Sequence, residues 1–338
     1  MSSPIITGLM AYGMSGRVFH APFVELHPGF KLKAVVERHE KKAAAYLPGI
    51  ASYSSVNELV DDPEIELIIV NTPPHTHFGL AKKALEAGKH VLIEKPVATT
   101  SAEVKELYEL GHKMNRHVTV YQNRRWDSDF LSMKKVIESG RLGELIEVHF
   151  RFDRYKTALS PKTFKETKSL PGNGLVYDLG PHLIDQAISL FGKPLSFRKT
   201  TGIYRENSEV PDYFHFHLSY PHHLNVYLTS GLLIAQATPS FVAHGTLGSY
   251  LKNRVDVQEA QLESGIWPNM PEYGIEPKGE EGILVTFDDA GNKQTERVPA
   301  ERGDYMQLFD AVYHTIREGA LYPITAEHVA WQMEMLEK

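Results

Sequence analysis

The chain has 338 residues, of which 42% are hydrophobic and 23% charged, with a net charge of −6; this length calls for two domains rather than one core. It contains no cysteine, which excludes disulfides, thiolate metal sites and a thiol nucleophile. Charges of both signs are interspersed without a basic stripe, and there is neither a leader pattern nor an apolar run of membrane-spanning length; the expectation is a cytoplasmic protein with no nucleic acid and no membrane partner.

Ile5 to Met10 reads as a buried strand followed by the tight turn Ala11-Tyr12-Gly13-Met14-Ser15-Gly16. This is the place for a G-x-G-x-x-G dinucleotide fingerprint, whose glycines make the turn, admit the pyrophosphate and let the helix pack on the strand. Gly13 and Gly16 hold the second and third positions, while Ala11 holds the first and gives up easy access to positive φ. Lys31 to Val36 is a second strand, with Glu37 at its carboxyl end, about 20 residues past the last glycine, where an acid accepts from the adenosine ribose hydroxyls. That favours NAD. Arg38 next to it suits a 2′-phosphate, so NADP stays open, as does a merely solvated Glu37-Arg38 pair.

Ser55-Val56-Asn57-Glu58 and Thr100-Ser101-Ala102-Glu103 are capping boxes that mark helix starts. Between them Leu67-Ile68-Ile69-Val70 is typical of a strand buried on both faces, and it leads into Asn71-Thr72-Pro73-Pro74-His75-Thr76-His77. A helix from Phe78 to Ala87, stopped by Gly88, precedes the strand His90 to Ile93 and then Glu94-Lys95-Pro96. Pro96 stiffens the backbone that aims Lys95 from the carboxyl edge of the sheet, where ligands collect; a cis or a trans Lys95-Pro96 bond fits equally. A helix over Glu103 to Lys113 and a strand over Val118 to Tyr121 complete a series that demands a doubly wound parallel sheet.

The pattern changes after Gln122. A helix over Asp127 to Ser139 is followed by alternating strands at Ile146 to Phe152, Tyr213 to Leu218 and Asn225 to Thr229, a long loop at Gly265 to Glu281, and helices over Tyr305 to Arg317 and Ala326 to Glu337. The expected architecture is α/β, with an N-terminal Rossmann domain over residues 1–122 and a C-terminal α+β domain over 123–338 built on a large, mainly antiparallel open sheet. Helices cover one face; the other is solvated or pairs with a second subunit.

In Asp178-Leu179-Gly180-Pro181-His182-Leu183-Ile184-Asp185, Pro181 suits the first helical position, so the helix is expected to start near Gly180 and run to Phe191. Asp178, His182 and Asp185 then share a face, and an imidazole beside a carboxylate is a poised general base. A satisfied core histidine, an exposed polar face or two ligands of a metal remain alternatives. His75 with His77, and His222 with His223, are poorly spaced to converge on one ion, and no third ligand is evident. No metal is expected.

The four motifs Ala11 to Gly16, Asn71 to His77, Glu94-Lys95-Pro96 and Asp178 to His182 fall in sequence on two different domains, and with them the chain resembles, over essentially its whole length, the Gfo/Idh/MocA family of glucose-fructose oxidoreductase and inositol dehydrogenase. Gln122-Asn123-Arg124-Arg125-Trp126-Asp127 resembles the branch with scyllo-inositol dehydrogenases. The resemblance implies that Lys95 contacts substrate and nicotinamide ribose, that Asp178 and His182 are a catalytic pair, and that Gly13, Met14, Ser15, Gly16, Glu37, Thr72, Pro73, His77 and Glu94 surround the cofactor, NAD or NADP, with Arg38 and Asn71 as further cofactor candidates. Candidates for a sugar or polyol substrate are Arg125, Trp126, Tyr155 and Tyr177. The implied reaction is hydride transfer between nicotinamide and a secondary alcohol or ketone carbon, with His182 as base, Asp178 orienting it and Lys95 stabilising alkoxide character. A homo-oligomer through the C-terminal sheet is a further implication. Two other classes exist on the same fold: a non-catalytic nucleotide-responsive regulator, against which the joint presence of Lys95, Asp178 and His182 argues, and a glycosidase that recycles tightly held NAD.

Overall fold

The computed structural model describes residues 3–161 and 166–338. The chain divides into two units, one comprising Met1–Asn123, Gln258–Tyr273 and Tyr305–Ala330, the other Arg124–Val257, Gly274–Asp304 and Trp331–Lys338. A single cut after residue 122 therefore omits two returns to the first unit, because the periodicity of a late helix says nothing about which core it joins.

The first unit contains β1 (Ile5–Leu9), α1 (Ala21–Leu26), β2 (Phe30–Val36), α2 (Ala43–Tyr46), β3 (Ala51–Tyr53), α3 (Val56–Asp61), β4 (Leu67–Val70), α4 (His77–Glu86), β5 (His90–Glu94), α5 (Ser101–Lys113) and β6 (Val118–Tyr121). Its sheet runs β3-β2-β1-β4-β5-β6 with every pairing parallel. Strand order reverses between β1 and β4, so the crevice for a ligand lies at their carboxyl ends. The residues of β4 are all 0% exposed, as a strand covered on both faces must be. Thr100 and Glu103 form both halves of the capping box at α5, and Ser55 accepts the Glu58 N–H at α3.

The second unit is built on α6 (Ser128–Glu138), β7 (Leu145–Arg151), α7 (Leu175–Phe191), β8 (Ser196–Gly202), β9 (Tyr213–Ser219), β10 (Asn225–Gly231), β11 (Phe241–Gly245), β12 (Gly248–Lys252), β13 (Gly282–Phe287) and β14 (Lys293–Val298). The sheet order is β14-β13-β12-β11-β7-β10-β9-β8; only β7 with β10 is parallel. Val148, Phe150, Phe214, Phe216, Leu218, Val226 and Leu228 are buried on the face that α7 packs against. On the opposite face His149 and His217 stack on either side of Tyr227, with ring centroids 4.9 and 4.8 Å away.

Three further helices are α8 (Gln258–Glu263), between β12 and β13, and α9 (Met306–Glu318) and α10 (Ala326–Glu337), after β14. In the first unit α9 packs onto α1 through Phe309, whose ring stacks on Phe23 at 5.1 Å. Among the described residues no helix is long and apolar enough to cross a membrane.

Helix α7 corrects the sequence reading. It begins at Leu175, not near Gly180, and Pro181 lies inside it. Gly174, at φ 87°, turns the chain into the helix, and the well-packed turn over Leu175 to Gly180 tolerates a proline that ordinarily costs about 3 kcal/mol in a helix interior. Asp178 thus sits in the first turn, where a carboxylate is favoured by the helix dipole.

Candidate active site

In the first unit the predicted dinucleotide residues gather at the carboxyl ends of β1, β2, β4 and β5. Neither Ala11, Gly13 nor Gly16 has positive φ, so alanine at the first fingerprint position costs nothing in backbone strain. Asn71 holds that turn by accepting from Ala11 N–H at 3.0 Å and donating to Ala11 C=O at 2.8 Å. Gly16 is required for space, since a Cβ there would lie 2.3 Å from Ala11 O; around Gly13 nothing lies within 4 Å of a Cβ position. An open backbone at Gly13 over a tightly closed turn is the shape that admits a pyrophosphate, and the residues present fit a dinucleotide. A cavity of about 400 Å³ flanks the turn, walled by Tyr12, Met14, Arg17, Tyr46 and, from the returning segment, Trp267. Trp267 was not legible as a site residue, because its place depends on that return.

Glu37 falls at the end of β2 as expected, but its carboxylate is used by its own chain. One oxygen accepts from the N–H groups of Lys42 and Ala43 at 2.7 and 3.1 Å, the other from Ser52 Oγ at 2.6 Å. The side chain caps α2 and is 8% exposed, while Arg38 beside it is exposed. A ribose therefore meets at most the remaining lone pairs of Glu37.

His77, expected near the cofactor, is a strut between loops. It is 1% exposed, with Nδ1 2.7 Å from Pro96 O and Nε2 2.6 Å from Thr72 O. Burial pushes its pKa down, opposed by those two carbonyls and by Glu94; the ring ties the loop after β4 to the loop after β5 and turns no nitrogen outward. His75 is exposed. Thr72 is buried, its hydroxyl 2.7 Å from that of Thr76, and Pro73 is exposed.

Lys95 stands at the end of β5, half-buried, and its bond to Pro96 is cis. The preceding Glu94 accepts from Ser15 Oγ at 2.8 Å and from its own neighbour Lys95 N–H at 3.2 Å, and lies 2.9 Å from His20 Nε2. Burial alone would raise the Glu94 pKa, but His20, Lys95 and Ser15 outweigh it and hold the group below the usual carboxylate range. His20 is 0% exposed and was missed by sequence reasoning, since a lone histidine in a helix start carries no signal.

In the second unit α7 presents Asp178 and His182 one turn apart, Asp178 exposed and His182 5% exposed. Asp185, read as part of their face, instead makes a bidentate pair with Arg125, at 2.7 Å to Nε and 2.8 Å to Nη2. Arg125, a candidate for substrate, is tied by this pair to α7 from the turn Asn123–Trp126. Trp126 is half-buried, its carbonyl accepting from Asp304 N–H at 3.1 Å. Tyr177 is half-buried with its pKa raised by burial and by Glu337, and Tyr155 is 62% exposed, bridging to Leu233. His222 and His223 are exposed, both with left-handed backbone.

Comparison with known proteins adds a functional context. Residues 6–122 match the model described as "Oxidoreductase family, NAD-binding Rossmann fold", and residues 130–251 match the GFO/IDH/MocA C-terminal domain. An uncharacterized oxidoreductase of Schizosaccharomyces pombe is 40% identical over 99% of this chain and 96% of its own. The scyllo-inositol 2-dehydrogenase (NADP(+)) of Bacillus subtilis is 33% identical over 96% of this chain and 89% of its own. A crystal structure of an oxidoreductase from Bacteroides fragilis superposes with a TM-score of 0.90 at 40% identity, covering 99% of this chain and 96% of that one.

Proposed function

The chain belongs to the Gfo/Idh/MocA family of oxidoreductases, and we propose that its reaction moves hydride between nicotinamide and a secondary alcohol or ketone carbon of a sugar or cyclic polyol, an inositol among them. It is a dehydrogenase with an NAD-binding Rossmann domain, and its cofactor is NAD or NADP. The observation that supports the substrate class is the presence of Lys95, Asp178 and His182 together in a chain that is 33% identical, over 96% of its length, to an inositol dehydrogenase. The cofactor, when bound, supplies the hydride acceptor or donor.

The chain's own residues divide the remaining work. Asn71 fixes the turn at Ala11, and the open backbone at Gly13 leaves room for a pyrophosphate. Arg38, exposed beside Glu37, is the group assigned to a 2′-phosphate. Lys95, directly after β5, bears a positive charge that stabilises alkoxide character on the reacting oxygen. His182 takes or returns the alcohol proton, and Asp178, one turn earlier on α7, favours the cationic imidazole as charge develops. Trp126 and Tyr177 are assigned to the polyol, with Tyr155 at its exposed margin. Turnover of inositols and aldoses with NAD and NADP, lost in Lys95→Ala and His182→Ala, tests this assignment.

The open face of the second sheet supports a homo-oligomer. His149, Tyr227 and His217 align in one row across it with Val242 and Leu251, all part-exposed, and an apolar and aromatic row of this kind suits burial against a second copy. Light scattering after size exclusion checks the mass; a monomer removes this part of the proposal.

A further inference from the structure

We propose that His20 is a positioning residue, acting with Glu94 and Ser15 as a staple that makes the dinucleotide turn and Lys95 one mechanical unit. The inference rests on the assignment of Lys95 made above.

Glu94 is the last residue of β5. One of its carboxylate oxygens, Oε1, accepts from Ser15 Oγ at 2.8 Å and lies 2.9 Å from His20 Nε2. The other accepts from Lys95 N–H at 3.2 Å. A single carboxylate thus spans three points: the dinucleotide turn, the start of α1, and the backbone of the lysine. Without a partner for its charge, a carboxylate buried to this degree would be costly. His20 supplies that partner from a fixed place. Its ring sits edge-on to Tyr121 at 4.4 Å and to Phe309 at 6.4 Å, and Tyr121 is itself anchored by donating to Phe19 C=O at 2.9 Å. Nδ1 of His20 is buried with no hydrogen-bond partner among the described residues, so the whole polar capacity of this ring is directed at Glu94.

The consequence is mechanical coupling. Loss of the His20 donor lets Glu94 turn away, and both Ser15 and the Lys95 backbone lose their common acceptor. A charge-assisted hydrogen bond is worth enough to change an equilibrium by about tenfold to a hundredfold.

The test is a double-mutant cycle on dissociation constants for NADH and NADPH, measured by nicotinamide fluorescence on the purified chain with His20→Phe, Ser15→Ala and the double variant. The expected result is non-additivity. Ser15→Ala weakens binding severalfold in the wild-type background and hardly at all once His20 is phenylalanine, while His20→Gln, which returns an N–H at similar reach, restores the wild-type response. With a polyol substrate, His20→Phe lowers kcat by at least about tenfold while changing the substrate KM much less, and His20→Gln recovers it. Additive effects on the dissociation constants overturn the proposal, as does a His20→Gln variant no better than His20→Phe. Should His20→Phe fail to fold, the same cycle is run with Glu94→Gln in its place, and additivity there overturns it equally. Because the cycle reads cofactor binding alone, it decides the staple even if every polyol fails as substrate, an outcome that would strike the proposed function instead.

Discussion

Asn71 engages both backbone groups of Ala11, accepting its N–H at 3.0 Å and donating to its C=O at 2.8 Å. The turn that most needs a glycine by motif logic is held here by a side chain from the loop that follows the neighbouring strand β4. Asn71→Ala is expected to remove both bonds, costing about 1–3 kcal/mol and weakening dinucleotide binding about tenfold or more. Ala11→Gly gains nothing, because φ at this position is already negative, whereas Gly16→Ala places a methyl group 2.3 Å from Ala11 O and abolishes binding. Calorimetric titration with either cofactor checks all three; an Ala11→Gly variant that binds markedly tighter would contradict the clamp.

Cofactor selection should follow Arg38 rather than Glu37. With the Glu37 carboxylate capping α2 and bonded to Ser52, Glu37→Ala is expected to weaken NAD and NADP alike and to cost about 1 kcal/mol of stability as a lost cap. Arg38→Ala is expected to weaken NADP several times more than NAD. Dissociation constants for both nucleotides in both variants decide this, and a Glu37→Ala effect confined to NAD would restore the ribose role expected from its position at the end of β2.

The Arg125–Asp185 pair is almost buried, with side chains 10% and 4% exposed. Removing one partner takes the bidentate ion pair away from the other charge. Asp185→Asn and Arg125→Met are each expected to destabilise by about 3 kcal/mol, and Arg125→Met with Asp185→Leu by less than the sum. Urea unfolding measures it; single variants with wild-type midpoints would show that the pair does not hold α7.

His90 makes stability depend on pH. Burial, with His117 and Arg116 adding to it, pushes its pKa down to about 4, and its Nδ1 accepts the His117 N–H at 3.0 Å, a bond that protonation would break. The unfolded chain takes up this proton near pH 6.5 and the folded chain only near 4, so between these values the unfolded state holds more protons and stability falls as pH is lowered. His90→Asn keeps an acceptor and cannot titrate. From pH 7 to 4 it is expected to lose less stability than wild type in thermal melts; equal losses would contradict the assignment.

The legible parts of this molecule were those that leave a local period or a local cap. The run Leu67 to Val70, the capping box at Thr100 and the alternation in Tyr213 to Leu218 each announce their element because burial and capping act within a few residues. Strands β8 and β14 were not legible: at the sheet edges they bury little, and β14 is exposed along nearly its whole length. The start of α7 was misplaced because proline is a good marker of a first turn and a poor one when surrounding packing absorbs its cost. At the site, the placement of Lys95 could be read from strand and loop, but the partners of Glu37, His77 and Arg125 could not. Each is satisfied by groups 5 to 60 residues away in the chain, and no motif records what a side chain will find there.

The most direct measurement of the central claim is nicotinamide absorbance with NAD and NADP against a panel of inositols, aldoses and their oxidised forms, run beside Lys95→Ala and His182→Ala. The account predicts turnover of at least one polyol or sugar, lost by orders of magnitude in both variants while cofactor affinity changes far less. Tight cofactor binding with no turnover of any member of the panel, or turnover that persists in either variant, would contradict it.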